Sequence, residues 1–252
     1  MEPRAAAGGG GWYNGGMSDA RPPATPPADP PAGTGPRGGV AAARLCVLLD
    51  GGADRDAFGR LVHGLFAVGV PMIQLRDKRL GGALLADRAA LAVSIARGLA
   101  RPAAPLVIVN DRPDVAVAAG ADGVHVGAED LPVALARRVV GPDRLVGRTA
   151  HGIDEAREAV LAGADLLGVG PCFPSSTKAF AHSAPRAFLA DVAGTIALPA
   201  FAIGGVTLER LAELSALGLG RVAVAGAITG AADPPAVAAR FLERLGAAPR
   251  TP

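Results

Sequence analysis

Between Arg44 and Ile228, apolar runs of five to eight residues recur eight times, each closed by a polar or glycine-rich corner and followed by a segment with helical spacing. The runs are RLCVLLD (44–50), MIQLR (72–76), LVIVN (106–110), GVHVG (123–127), RLVGRTA (144–150), LLGVGPC (166–172), PAFAIGG (199–205) and RVAVAGAI (221–228). Between them, DRDAFGRLVHGLFAVG carries Phe58, Leu61, Val62, Leu65 and Phe66 at helical intervals. TLERLAELSALG opens on a Thr207 cap and stacks Leu208, Leu211, Leu214 and Leu217. Short buried strands that alternate with amphipathic helices pair in parallel. Eight such units within about 200 residues suit a closed (β/α)8 barrel, an α/β fold, better than an open doubly wound sheet.

The first 42 residues do not share this beat. Their Gly, Pro and Ala content lacks apolar periodicity and cannot offset the entropy of ordering, which predicts a disordered tail over 1–42, a barrel over 43–246 and a flexible end over 247–252. A chain starting near Gly38 is therefore expected to fold. Met17 offers an alternative start within the tail. No apolar stretch follows Arg4 as in a secretory signal, and none later reaches the roughly 18 to 20 residues of a membrane span. The net charge of +2 is spread without a basic block, which argues against nucleic acid as a partner. Cys46 and Cys172, the two cysteines, lie in apolar runs without metal-ligand spacing and read as reduced thiols of a cytoplasmic protein. The oligomeric state is left open, with a homo-oligomer allowed.

A barrel of this kind places its chemistry at the C-terminal ends of its strands. Polar residues do collect there: Gln74, Arg76, Asp77 and Lys78 after the second run, Asn110 and Asp111 after the third, Glu129 and Asp130 after the fourth, Thr149 and His151 at the fifth. The sixth run breaks at Pro171 and Pro174 and then sets out Ser175, Ser176, Thr177 and Lys178. The seventh and eighth end in Gly204-Gly205 and Ala225-Gly226-Ala227, where small residues let backbone N–H groups approach an anion.

Two charge sets follow. Arg76, Lys78 and Lys178, with the hydroxyls of Thr149, Ser175 and Thr177, are donors suited to a diphosphate. Asp111 and Asp130 are hard oxygen ligands, and one or two carboxylates plus substrate phosphates is how Mg2+ is commonly held. Each has a plainer reading: an isolated Asp caps helices, Lys178 alone is an exposed lysine, and Gly204-Gly205 alone is a tight turn. Clustering at successive strand ends tips the balance towards a site. His125 reads equally as a hydrogen-bonded core residue and as part of the site, whereas His63 and His182 read as surface.

The segments IQLRDK, IVNDRPDVAVAAGADGVHVGAEDLP, GRTAH, GVGPCFPSSTK and AIGGV, in this order and spacing, closely resemble the thiamine-phosphate synthase family from about residue 44 to 245. The resemblance implies a (β/α)8 barrel that joins two small-molecule substrates, a pyrimidine diphosphate and a thiazole phosphate, with Mg2+ as cofactor. It implies Asp111 and Asp130 as metal ligands, and Arg76, Lys78, Asn110 and Lys178 around the diphosphate. Gln74 and Thr149 would lie near the pyrimidine; Ser175, Thr177, Gly204, Gly205, Ala225 and Gly226 would lie around the thiazole phosphate. The implied catalytic set is Arg76, Lys78, Lys178 and Thr149, acting on a dissociative step. Thr149 and Ser175 stand where the family commonly has Ser and Thr, Gly226 where many members have Ser, and AFAHSAPRAF lacks a glycine usual after the lysine. A thiazole tautomerase-like paralogue and a non-catalytic phosphate-binding barrel are the rival readings; both predict losses from the charge sets, which this chain retains.

Overall fold

The structure, a computed structural model, describes residues 35–247 apart from 53, 102 and 175–182. Eight parallel strands close on themselves in sequence order, from β1 pairing β2 round to β8 pairing β1. They are β1 (Leu45–Leu49), β2 (Met72–Leu75), β3 (Leu106–Asn110), β4 (Gly123–Val126), β5 (Leu145–Ala150), β6 (Leu166–Val169), β7 (Ala200–Ile203) and β8 (Val222–Val224). All eight expected strands are present. The sixth stops short of Gly170, and the eighth gives way to a short helix at Gly226. The helices described around the barrel are α2 (Arg55–Ala67), α3 (Gly82–Gly98), α4 (Pro113–Ala118), α5 (Val133–Val140), α6 (Ile153–Leu161), α7 (Arg186–Thr195), α8 (Leu211–Ala216), α9 (Gly226–Thr229) and α10 (Pro234–Ala247).

The period-2 alternation of side chains sorts every strand into two faces. Leu45, Val47, Leu49, Ile73, Leu75, Val107, Val109, Val124, Val126, Val146, Leu167, Val169, Val222 and Val224 belong to the large core shared with the helices. Their partners in alternation, Cys46, Met72, Leu106, Ile108, Leu145, Leu166, Phe201 and Ala223, form a second, separate cluster inside the barrel. This explains the unbroken apolar look of the strands, which are buried on both sides. One layer higher, the inward positions of β2 to β5 change character to Gln74, Asn110, His125 and Thr149. That change places the floor of a site towards the C-terminal end of the barrel.

The expected tail boundary needs correction. Residues 36–42 are part of the fold: α1 (Pro36–Ala42) begins with Pro36 in its first turn, a favoured place for proline, and buries Val40 to 2% exposure. Val40 and Ala43 join the interior cluster beside Leu106. Arg37 pairs with Asp165 at 2.9 Å and donates to the Pro142 carbonyl, while Arg221 donates to the carbonyl of Ala41 at 2.8 Å. Gly38 and Gly39 give this segment a poor intrinsic helix propensity, so tertiary contacts decide its conformation. Residues 1–34 and 248–252 lie outside the described residues.

Candidate active site

Asn110, Asp111 and Asp130 bring three polar groups to adjacent strand ends. Asp111 follows β3 with φ +64, the non-glycine residue with positive φ among those described; its N–H donates to the His125 carbonyl at 2.8 Å. Such backbone is uncommon outside glycine, costs about 1 to 2 kcal/mol and is best tolerated by Asp and Asn. It turns the Asp111 carboxyl against that of Asp130, whose own Oδ2 accepts the Gly127 N–H at 2.7 Å. Burial, the hydrogen bond to Asp130 and the charge of Asp130 push Asp111 up to about 6, against the opposing pull of Lys78 and Arg76. Burial also resists ionisation of Asp130, but the bond with Asp111, the Gly127 N–H, Lys78 and Arg148 outweigh it and hold Asp130 below the usual carboxylate range. Two adjacent carboxyl groups are a hard oxygen pair, and a divalent cation would relieve the repulsion between them when both are ionised. Among the described residues no third His, Cys, Asp or Glu joins them to complete a metal cluster. Further ligands would therefore be water or substrate oxygens, which is how Mg2+ is commonly coordinated.

Facing this pair, the loop after β2 alternates its side chains. Arg76 and Lys78 line the cavity, and Lys78 Nζ stands 3.7 Å from Asp111 Oδ2. Asp77, between them, turns away, and its side chain is 2% exposed. It accepts the Gly51 N–H at 3.2 Å and is held by the Arg79 backbone and guanidinium. Arg79 chiefly holds its carboxyl down to about 2, despite burial. Asp77 thus anchors the loop that presents two cations. Below them, Gln74 Nε2 donates to Asn110 Oδ1 at 2.6 Å, both side chains being buried.

His125 settles between its two sequence readings by combining them. Buried to 7%, it lines the cavity and places Nε2 2.9 Å from Thr149 Oγ1. Its Nδ1 finds no partner among the described residues. The tautomer with the proton on Nε2 leaves only a bare lone pair at Nδ1, less costly than an orphaned N–H. Nε2 then donates to Oγ1 and frees the Thr149 hydroxyl hydrogen to point elsewhere. His151, also at the cavity, sets its Nδ1 2.6 Å from the Gly170 carbonyl and so joins the end of β5 to the exit of β6.

On the opposite side of the mouth, Gly204 and Gly205 have φ +86 and +64, and the chain leaving β6 lies directly on them. A Cβ at Gly205 would stand 2.5 Å from the Pro174 carbonyl oxygen. The glycine pair is therefore required by backbone approach as well as offering N–H groups to a ligand. Cys172 N–H donates to the Ile203 carbonyl and Phe173 N–H to that of Gly204, extending the β6–β7 contact to the residues just before Ser175.

One cavity of about 780 Å³ collects Gln74, Arg76, Lys78, Asn110, Asp111, Asp130, Thr149, Gly204, Gly205, Ala225 and Gly226. Ser175, Thr177 and Lys178 lie outside the described residues. Sequence reasoning left out Arg210, which lines the same cavity, and the anchoring role of Asp77; Arg210 could have been noticed as a cation five residues beyond the second glycine of the pair.

A closed parallel barrel whose strand ends gather cations, paired carboxylates and a glycine corner is the arrangement on which (β/α)8 proteins commonly receive phosphorylated ligands. The thiamine monophosphate synthase family profile matches residues 45–228. The chain belongs to that family. It is 46% identical over 193 residues to a thiamine-phosphate synthase of Anaeromyxobacter dehalogenans, covering 76% of this chain and 83% of the relative. A thiamine-phosphate synthase of Rhodopirellula baltica is 42% identical over 194 residues, 75% of this chain and 51% of the relative, so the chain spans about half that protein's length. Among solved structures, thiamine phosphate pyrophosphorylase from Pyrococcus furiosus superimposes with a TM-score of 0.71 at 28% identity, covering 83% of this chain and 97% of the other.

Proposed function

We propose that this protein is a transferase of thiamine biosynthesis that joins 4-amino-2-methyl-5-hydroxymethylpyrimidine diphosphate to 4-methyl-5-(2-hydroxyethyl)thiazole phosphate, yielding thiamine phosphate and pyrophosphate. The observation that carries this reading is the opposition of Arg76 and Lys78 to the Asp111–Asp130 pair within one cavity that also holds a glycine corner. A barrel that bound only the thiazole phosphate would have no use for the paired carboxylates and cations of the β2–β4 side.

In this reading Asp111 and Asp130 hold Mg2+, which when bound supplies positive charge to the diphosphate oxygens. Arg76, Lys78 and Lys178 neutralise the same group, with Asn110 beside it. Gln74, held by Asn110, and Thr149, held by His125, orient the pyrimidine. The carbon–oxygen bond to the diphosphate breaks with its electron pair leaving on pyrophosphate, and the pyrimidinylmethyl cation left behind accepts the lone pair of the thiazole nitrogen. No proton needs removing, so positioning and electrostatics supply the rate enhancement. Backbone N–H groups around Gly204, Gly205, Ala225 and Gly226, with Ser175 and Thr177, receive the thiazole phosphate.

Both ligands are small molecules. Among the described residues no helix is long and apolar enough to cross a membrane. We assign the reaction to the cytoplasm, where buried free thiols such as Cys46 and Cys172 stay reduced. Incubating purified protein with both substrates and Mg2+ tests the assignment: thiamine phosphate and pyrophosphate should appear in equal amounts. Conversion of the thiazole phosphate alone, or no consumption of the diphosphate, would refute it.

A further inference from the structure

Three Lys or Arg side chains line the cavity among the described residues, and they are unevenly placed. Arg76 and Lys78 stand on the β2 side, facing the carboxylate pair. The third, Arg210, stands at the start of α8, beside the glycine corner of β7. Its Nη1 donates to the Gly205 carbonyl at 2.5 Å and, more weakly, to that of Pro174 at 3.4 Å. The Phe173 ring lies 4.8 Å from its central carbon and covers the guanidinium in a cation–π contact. Among the described residues its partners are thus two carbonyls and a ring, none of them charged. The guanidinium has five donors in a rigid fork, and the two on Nη1 are directed at the carbonyls; those on Nε and Nη2 are left for a ligand.

We infer that Arg210 is a substrate-binding residue that supplies the charge for a phosphate monoester at the Gly204–Gly205 corner, held ready by its clasp on Gly205, Pro174 and Phe173. This deepens the proposed function and rests on it for the identity of that monoester, the thiazole phosphate. Without Arg210 the donors that the described residues bring to this corner are neutral, backbone N–H groups and the Thr207 hydroxyl. With it, the two sides of the mouth each present cations, matching two phosphorylated ligands that meet between them. The clasp also fixes the guanidinium plane before any ligand arrives, which lowers the entropy lost on binding.

Substitution separates charge from clasp. Arg210→Gln keeps an amide donor for the Gly205 carbonyl and removes the charge; Arg210→Lys keeps the charge and removes the fork. The Gln variant should raise KM for the thiazole phosphate about tenfold or more, the scale of one charge-assisted hydrogen bond, and leave KM for the pyrimidine diphosphate within about twofold. The Lys variant should recover most of that loss. Calorimetry with inorganic phosphate on the free protein should show the same order, wild type and Lys above Gln. A Gln variant with unchanged thiazole KM and phosphate affinity would overturn the inference. So would a Lys variant as impaired as Gln, or a joint rise in both KM values, since these mark a purely structural clasp. Wild-type protein that binds phosphate through Arg210 but makes no thiamine phosphate would instead overturn the proposed reaction and leave this site standing.

Discussion

His125 Nε2 lies 2.9 Å from the Thr149 hydroxyl, joining the inward faces of β4 and β5 at the floor of the cavity. Two glycines make room for the ring: a Cβ at Gly147 would stand 2.4 Å from Nδ1, and one at Gly168 would stand 3.3 Å from Cε1. Strand interiors disfavour glycine, so its presence on two neighbouring strands marks a place where another group must enter. Gly147→Ala should displace the ring, cost about 1 to 3 kcal/mol in stability and lower turnover as Thr149 loses its orientation. Urea unfolding and steady-state kinetics on one preparation check both effects.

The same histidine gives stability a pH dependence of known sign. Burial first, then Arg148 and Arg76, push His125 down to about 4, with Asp130 opposing. Between pH 6.5 and about 4 the unfolded chain binds a proton that the folded chain refuses, so this group's stabilisation is present above pH 6.5 and lost as pH falls. Asp111, raised to about 6, has the opposite slope, losing stability as pH rises from about 4 to 6. His125→Asn should therefore be relatively less sensitive to acid than wild type. Unfolding midpoints at pH 7 and pH 5 measure this, and an equal fall in both proteins would contradict it.

For the carboxylate pair, Asp111→Asn preserves the left-handed backbone that Asn tolerates and removes the repulsion with Asp130. Stability at pH 7.5 should hold or rise by on the order of 1 kcal/mol, while turnover falls by about 100-fold or more. Chelation should silence the wild type, and Mg2+ should restore it. Mg2+ should also raise the melting temperature of wild type in the presence of pyrophosphate, and fail to do so in the variant.

Removal of the Asp77 carboxyl should act at a distance. Asp77→Ala frees the Gly51 N–H and the Arg79 guanidinium and loosens the loop carrying Arg76 and Lys78. A stability loss of about 1 to 3 kcal/mol is expected, with a larger fractional loss in kcat than in affinity for the thiazole phosphate. Asp77→Glu, with the charge kept one methylene further out, should fall between. Equal kinetics for wild type and the Ala variant would show that the loop holds its shape without this anchor.

At the other end of the barrel, Val40→Asp places a charge against Leu106 and should cost about 3 kcal/mol or more, because an uncompensated carboxylate enters the interior cluster. Deleting residues 1–34 should leave the melting temperature close to that of the full chain, whereas deleting 1–43 should lower it sharply. The expected cut near Gly38 would remove the first turn of α1 along with Arg37 and its bond to Asp165.

The barrel is legible along the chain. Two-sided strand burial leaves an unmistakable apolar run, helices leave a different period, and eight repeats leave few ways to close. The polar lining of the mouth was legible too, because this fold brings its strand ends to one face, where Arg76, Lys78, Asp111 and Asp130 line the cavity. The rest came only with the folded arrangement. Whether a glycine-rich stretch such as 36–42 becomes helical depends on a cavity that only the closed barrel creates. His125 could be core or site in a linear reading, and only the space above Gly147 and Gly168 makes it both. Asp77 looks like a third charged residue of one motif, yet the alternation of the loop after β2 sends it away from its neighbours. Arg210, distant in sequence from every other cation of the mouth, reaches the cavity because β6 and β7 exit side by side. Pairings of this kind depend on distances across the barrel, to which periodicity along the chain is blind.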